Sequence, residues 1–208
     1  TTLTDDPTDN GPISLRTQSL RFAHRIIGNS APVVEYCSQT LGVEKDRTIL
    51  LPNAIGGVEL RGTSRRQLRM AKNLPVEGPL FGIVARLVPV KDHSLFLQTC
   101  LAMKKLMPNA RALIIGDGPL MEQLGNEISD LGLQADVLLL GHSNDTLELI
   151  RALDALVLTS RSEGSPNAVL EALTVGTPVV SVDVGDVASL VGRDDGKVVT
   201  GRAPEDLV

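Results

Sequence analysis

Aromatic side chains are almost absent from this chain: three phenylalanines, one tyrosine and no tryptophan, 2% of 208 residues. Single-strand nucleic-acid binders stack bases on aromatic faces, and lectin-like modules commonly hold sugar rings in the same way. Any sugar handled here is therefore expected to be held by hydrogen bonds and charge. Cysteine is nearly as scarce. Cys37 and Cys100 stand far apart and lack metal-ligand spacing, which reads as two buried thiols in a reducing cytoplasm. No apolar run has the length of a membrane span. The opening residues, TTLTDDPTDNGP, are polar and acidic, unlike a signal peptide. Positive charge is not in excess either: the net charge is −5, and basic residues are scattered apart from a short run between Arg61 and Arg69. A nucleic-acid surface is not expected. Also missing are an Asp-x-Asp metal motif, the Gly-x-Gly-x-x-Gly fingerprint of nicotinamide dinucleotide sites, and the Gly-x-Ser-x-Gly elbow of triad hydrolases.

What is present is a hydrophobic fraction of 42%, enough for a large core. From Leu80 onward it is patterned as alternating strands and helices, which predicts an α/β fold with a parallel sheet covered on both faces. Strands are expected at Leu80–Ala85, Ala112–Ile115, Val137–Leu140, Ala155–Thr159, Pro178–Val182 and Lys197–Thr200. Helices are expected at His93–Leu106, Leu120–Leu131, Asn144–Leu153, Pro166–Val175 and Val187–Val191. Residues 1–57 read differently, with a helix end and strand in Leu20–Ile27, a helix at Ala31–Leu41 and a strand at Thr48–Leu51. Two strands do not make an independent sheet, so this piece reads as the remnant of a larger domain. Gly56, Gly57 and the basic stretch 58–73 are expected to link it to the main unit, 58–208.

In open parallel sheets, ligands bind at the carboxyl ends of the strands. The unusual residues fall there: Arg86 and Lys91 after the first strand, Gly116-Asp117-Gly118 after the second, Gly141-His142 after the third. Glu163 to Asn167 follow the fourth and Asp183 to Asp186 the fifth. Glu163 and Glu171 are eight positions apart and bracket the start of a helix, with Ser165 as the expected N-cap, Pro166 at the first helical position, and Gly176 and Pro178 ending it. Such a helix mouth suits an anion such as a pyrophosphate. A carboxylate beside an anion makes sense only if it accepts hydrogen bonds from neutral hydroxyls, and phosphates flanked by hydroxyls describe a nucleotide sugar. Gly116-Asp117-Gly118-Pro119 reads both as a turn and as a close approach to a nucleotide. His142 reads as facing a base or as capping the next helix with Ser143.

The stretch EGSPNAVLE, followed by GTPVVSVDVGD, resembles the Glu-x7-Glu signature of the family-4 glycosyltransferases, retaining enzymes of GT-B fold. The resemblance extends through ARLVPVKD (85–92), LIIGDGPL (113–120) and VLLLGH (137–142), and back to RIIGNS (25–30) and ILLPNAI (49–55). It implies a Rossmann-like doubly wound sheet, the second domain of a GT-B fold, over 58–208 and a remnant of the first, acceptor-side domain over 1–57. It also implies that a further helical region should follow PEDLV. By the same resemblance, Glu171 would hold the ribose hydroxyls and Glu163 the donor-sugar hydroxyls. Gly164, Ser165, Pro166, Asn167 and Ala168 would line the sugar and phosphates, and Arg86 and Lys91 would stabilise the leaving diphosphate without metal. Gly116, Asp117, Gly118 and His142 would lie near the base. The implied reaction is transfer from a nucleotide-diphosphate sugar, UDP-linked in the first instance, to a sugar or lipid-linked acceptor, with retention and with no cofactor. The expected location is cytoplasmic, with room for peripheral membrane association through the missing domain. Two other readings stay open: a nucleotide-sugar 2-epimerase of GT-B fold, and a non-catalytic nucleotide-sugar-binding module.

Overall fold

The computed structural model describes residues 20–57, 62–192, 196–199 and 201–208. The expected opening peptide, the first four residues of the 58–73 stretch and Thr200 lie outside these.

The first unit is a β–α–β turn of chain. Strands β1 (Ile26–Gly28) and β2 (Thr48–Leu50) pair in parallel, joined by helix α1 (Ala31–Gln39). Its core is small: Ile26, Cys37, Leu41 and Val43. Cys37 is fully buried, and that burial raises its thiol pKa.

Beyond it stands a six-stranded parallel sheet in the order β5-β4-β3-β6-β7-β8. Its strands are β3 (Leu80–Val84), β4 (Arg111–Ile115), β5 (Val137–Gly141), β6 (Ala155–Leu158), β7 (Val179–Val182) and β8 (Gly196–Val199). Helices α2 (Arg65–Ala71), α3 (His93–Leu106), α4 (Met121–Asp130), α5 (Thr146–Ala152), α6 (Asn167–Thr174) and α7 (Val187–Leu190) surround it. Because side chains alternate along a strand, each central strand feeds two cores. Leu113, Ile115, Leu156 and Leu158 pack with Leu68, Leu149, Ile150, Val169 and Val187 of α2, α5, α6 and α7. Ala112, Ile114 and Val157 point the other way, onto Phe96, Leu97, Cys100 and Met103 of α3 and Leu124 and Ile128 of α4. Cys100 sits in that second core, where burial pushes its thiol up to about 12. Both cysteines are free and buried, as expected.

Two expectations about local structure are corrected. The stretch 58–73 is more than a link, because residues 65–71 form α2. Ser64 and Gln67 close a reciprocal capping box at its start. The helix is pinned to the main sheet by Arg69, whose guanidinium reaches Asp154 Oδ2 at 2.7 Å and the Ala152 carbonyl at 2.8 Å. Arg69 is buried, while Arg65 and Arg66 stay exposed. The second correction is at α6. Its N-cap is Pro166, not Ser165, and the helix starts at Asn167. Ser165 is instead tucked inside at 7% exposure, and its carbonyl is taken by Asn53.

Chain order reverses between β3 and β6. The sheet is wound outward from β3 through β4 to β5, then resumes on β3's other side with β6. A crevice opens at such a point because the loops leaving the two strands turn to opposite faces.

Candidate functional site

Both loops at that crevice carry charge, and the charges meet. After β3 the chain makes a single 3-10 turn, Pro89–Lys91. After β6 it enters the loop that precedes α6. Lys91 Nζ and Glu163 Oε1 are 2.5 Å apart. The Ser160 hydroxyl donates to the same carboxylate oxygen at 2.6 Å. Glu163 is 10% exposed at its side chain and Lys91 23%, so the pair is largely screened from bulk water. Sequence reasoning placed both residues at this edge but gave them separate duties; the fold makes them direct partners.

The loop between Glu163 and α6 is compressed from two sides. Gly185, with φ +61, lies so close that a Cβ there would meet the Gly164 carbonyl oxygen at 2.4 Å. The Asp186 amide donates to that same carbonyl at 3.1 Å. On the other side, a Cβ on Gly164 would come within 2.7 Å of Asn29 Oδ1. Asn53 Nδ2 donates to the Ser165 carbonyl at 3.1 Å and to Asn167 Oδ1 at 2.8 Å. The first unit thus braces the helix mouth through Asn29 and Asn53. Neither residue was singled out as functional in the sequence, although Asn29 lies within the RIIGNS motif and Asn53 within ILLPNAI. Ser160 was missed as well, since a serine next to a strand end carries no signal of its own; Asp186 lay in a marked strand-end loop but was given no role.

Glu171 sits on the second turn of α6, and its side chain makes no hydrogen bond or ion pair among the described residues. Burial raises its carboxyl pKa. Burial also raises that of Asp186, with the Ser165 hydroxyl acting in the opposite direction. A half-buried carboxylate with no protein partner can accept from neutral hydroxyls.

The β4 and β5 ends form a different part of the site. An open cleft of about 280 Å³ is lined by Arg86, Gly116, Asp117, His142, Ser143 and Thr146, with Ile115 and the end of β3 as its floor. Gly116, at φ +146, is required there: a Cβ would fall 1.9 Å from the Ala85 carbonyl oxygen. The Asp117 carboxylate accepts from the Gly118 amide at 2.7 Å and its carbonyl from the Leu87 amide, while the Met121 amide closes a turn onto the Gly118 carbonyl at 3.2 Å. A His142 ring nitrogen lies 3.2 Å from Asn144 Oδ1. Arg86 has no ion-pair partner among the described residues. Lys91 is not among the residues lining this cleft, so the two cations are divided between the cleft and the Glu163 pair. Among the described residues, no group of three or more His, Cys, Asp or Glu side chains is placed to hold a metal ion.

Known proteins share the family and the fold. The family model for glycosyl transferases group 1 matches residues 64–208. The putative glycosyltransferase EpsF of Bacillus subtilis is 30% identical over 179 residues, covering 81% of this chain and 46% of EpsF. An Escherichia coli UDP-Gal:alpha-D-GlcNAc-diphosphoundecaprenol alpha-1,3-galactosyltransferase is 30% identical over 169 residues, 77% of this chain and 43% of that enzyme. The chain therefore spans less than half the length of these relatives. Among solved structures, Anabaena Alr3699/HepE in complex with UDP superposes with a TM-score of 0.76 at 26% identity, over 91% of this chain and 53% of that one. The lipopolysaccharide glycosyltransferase WaaG shares the fold, with a TM-score of 0.78 at 20% identity, over 88% of this chain and 51% of that one.

Proposed function

Because the chain belongs to the glycosyl transferases group 1 family, we propose that it forms the nucleotide-sugar-binding part of a retaining, metal-independent glycosyltransferase of polysaccharide or glycolipid synthesis. The observation that carries this reading is the Lys91–Glu163 pair at the strand-order reversal. It sets one cation and one hydroxyl acceptor side by side before α6, on the same sheet edge as the open cleft and in the same loop-and-helix segment as Glu171. A nucleoside diphosphate sugar offers matching groups: a base, ribose hydroxyls, two phosphates and sugar hydroxyls.

In this reading the base enters the cleft bordered by Arg86, Asp117 and His142. Glu171 accepts from the ribose hydroxyls. Lys91, Arg86 and the backbone amides at the start of α6 face the phosphates, with the helix dipole favouring the negative charge that grows as the sugar departs. Glu163 accepts from the donor-sugar hydroxyls. The sequence's lack of an Asp-x-Asp motif leaves these fixed charges to stabilise the leaving diphosphate. The sequence carries no Gly-x-Ser-x-Gly nucleophile elbow, and retention is assigned to departure and attack on the same face of the sugar. UDP is the first candidate nucleotide, in keeping with the UDP bound by Alr3699/HepE. Acceptors are sugars or lipid-linked sugars, as with the undecaprenol-linked substrate of the Escherichia coli relative. No helix among the described residues is long and apolar enough to cross a membrane.

The test is a calorimetric screen of UDP, GDP and ADP and their sugar conjugates. One nucleotide should bind, its conjugate should bind differently, and both affinities should fall in Glu171→Ala. Failure of every nucleoside diphosphate would overturn the reading. Conversion of the bound sugar to its 2-epimer without any acceptor would point to an epimerase instead.

A further inference from the structure

A charge cluster lies beside the Lys91–Glu163 pair, outside the site itself. Arg202, just before the final 3-10 turn Pro204–Leu207, donates to Asp92 Oδ2 at 2.8 Å, to the Thr159 carbonyl at 2.7 Å and to the Ser160 carbonyl at 2.9 Å. Asp92 Oδ2 also accepts from Arg161 Nε at 3.0 Å. Two more bonds join the same segments: Thr159 Oγ1 donates to the Lys91 carbonyl at 3.0 Å, and the Arg161 amide to the Val90 carbonyl at 2.8 Å. One guanidinium thus grips the carboxylate adjoining Lys91 together with the carbonyls of Ser160, whose hydroxyl bonds Glu163, and of the residue before it.

The backbone supports a dedicated role. Asp92 adopts left-handed angles, φ 50 and ψ 53, a region glycine enters more cheaply than any residue with a Cβ. An aspartate there needs compensation, and its carboxylate, 12% exposed, finds it in two arginines. Burial raises that carboxyl pKa, but the bonds from Arg161 and Arg202 outweigh it and hold the group ionised below its usual range. Paired in this way, Asp92 does not compete with Glu163 or with an anion for the neighbouring Lys91. The cleft lined by Arg86, Asp117 and His142 shares none of these bonds.

We propose that Arg202, acting through Asp92 and the Thr159 and Ser160 carbonyls, is a positioning residue that sets the geometry of the Lys91–Glu163 pair. Its value for function rests on the donor-binding reading above; the geometric claim does not. Three variants test it: Arg202→Met, Arg202→Lys and Asp92→Gly, the last deleting the carboxylate while making the left-handed backbone cheaper. In ligand-free protein with carbon-13-labelled lysine, the Lys91 side-chain resonance is assigned by its loss in Lys91→Arg. Arg202→Met and Asp92→Gly should move it toward the position of an unpaired lysine, and Arg202→Lys should restore much of the wild-type position. UDP affinity should fall roughly tenfold in the first two, the size expected when a charge-assisted hydrogen bond is misaimed. Uridine binding, which reads the base cleft, should not change. A merely structural role would lower the melting temperature and leave both the resonance and the UDP-to-uridine ratio in place. An unmoved Lys91 signal in both variants, or equal losses of UDP and uridine, would overturn the proposal. A signal that moves as expected in a protein that binds no nucleoside diphosphate would support the positioning role and overturn the donor-binding reading.

Discussion

Glu163→Gln separates the two duties the fold imposes on one carboxylate. In the wild type Glu163 holds Lys91 at 2.5 Å. If Lys91 also contacts a phosphate at a usual charge-assisted distance, the carboxylate and phosphate flank one ammonium at roughly 5 Å from each other. At an effective dielectric of about 20, two like unit charges at that separation repel by about 3 kcal/mol. Lys91 is 23% exposed, and solvent and salt reduce the repulsion to about 1–2 kcal/mol. Glutamine keeps the shape and an acceptor for Ser160, and removes the charge. UDP should therefore bind about fivefold tighter to the variant, a gain near 1 kcal/mol. UDP-glucose gains the same relief but loses a charged acceptor for a sugar hydroxyl, about 1.5–3 kcal/mol. The ratio of the two affinities should then shift by roughly tenfold to a hundredfold against the conjugate. Isothermal titration at low and at high salt measures both terms, since only the repulsive one shrinks with screening. Equal weakening of UDP and UDP-glucose would refute the reasoning, because it would mean that Glu163 merely anchors Lys91 and never touches the sugar.

Lys91→Ala should weaken UDP binding by about 1.5–3 kcal/mol, and chelator should leave the wild-type affinity unchanged; affinity abolished by EDTA and restored by a divalent cation would contradict the metal-independent reading. Burial raises the Glu171 carboxyl pKa, so the ionised acceptor is lost as pH falls through that raised value. UDP affinity should drop there in the wild type, and Glu171→Gln should flatten the profile across that window. At Asp154, burial raises the carboxyl pKa, but Arg69 and the Leu80 amide prevail and lower it overall. The folded chain then binds fewer protons than the unfolded one, so this contribution is complete above the ordinary carboxylate range and is lost as pH falls through the lowered pKa. Arg69→Met, which leaves Asp154 without its buried partner, should cost about 3 kcal/mol in urea denaturation. It should also blunt acid sensitivity; wild-type sensitivity in the variant would remove Asp154 from the account.

Local pattern alone decided a good deal of this protein. Alternation between short apolar runs and 3.6-period stripes located the six strands and the helices from His93 onward to within two residues, because a buried parallel strand has to be apolar on both faces. Glycines and charges at strand ends marked the edge where Arg86, Lys91, Gly116, His142 and Glu163 stand, because turns and ligand contacts need residues a core excludes. The basic stretch before Leu80 misled: periodicity does not show that Arg69 is buried against a carboxylate 85 residues away. The N-cap at Ser165 misled for a similar reason, since Asn53 claims that serine's carbonyl from 112 positions away. The pairing of Lys91 with Glu163, 72 positions apart, and the grip of Arg202 on Asp92, 110 apart, depend on β6 lying beside β3 rather than beside β5. Propensity and periodicity act over a few residues, and strand order is settled by which apolar faces pack together. That choice alone brought these charges into contact.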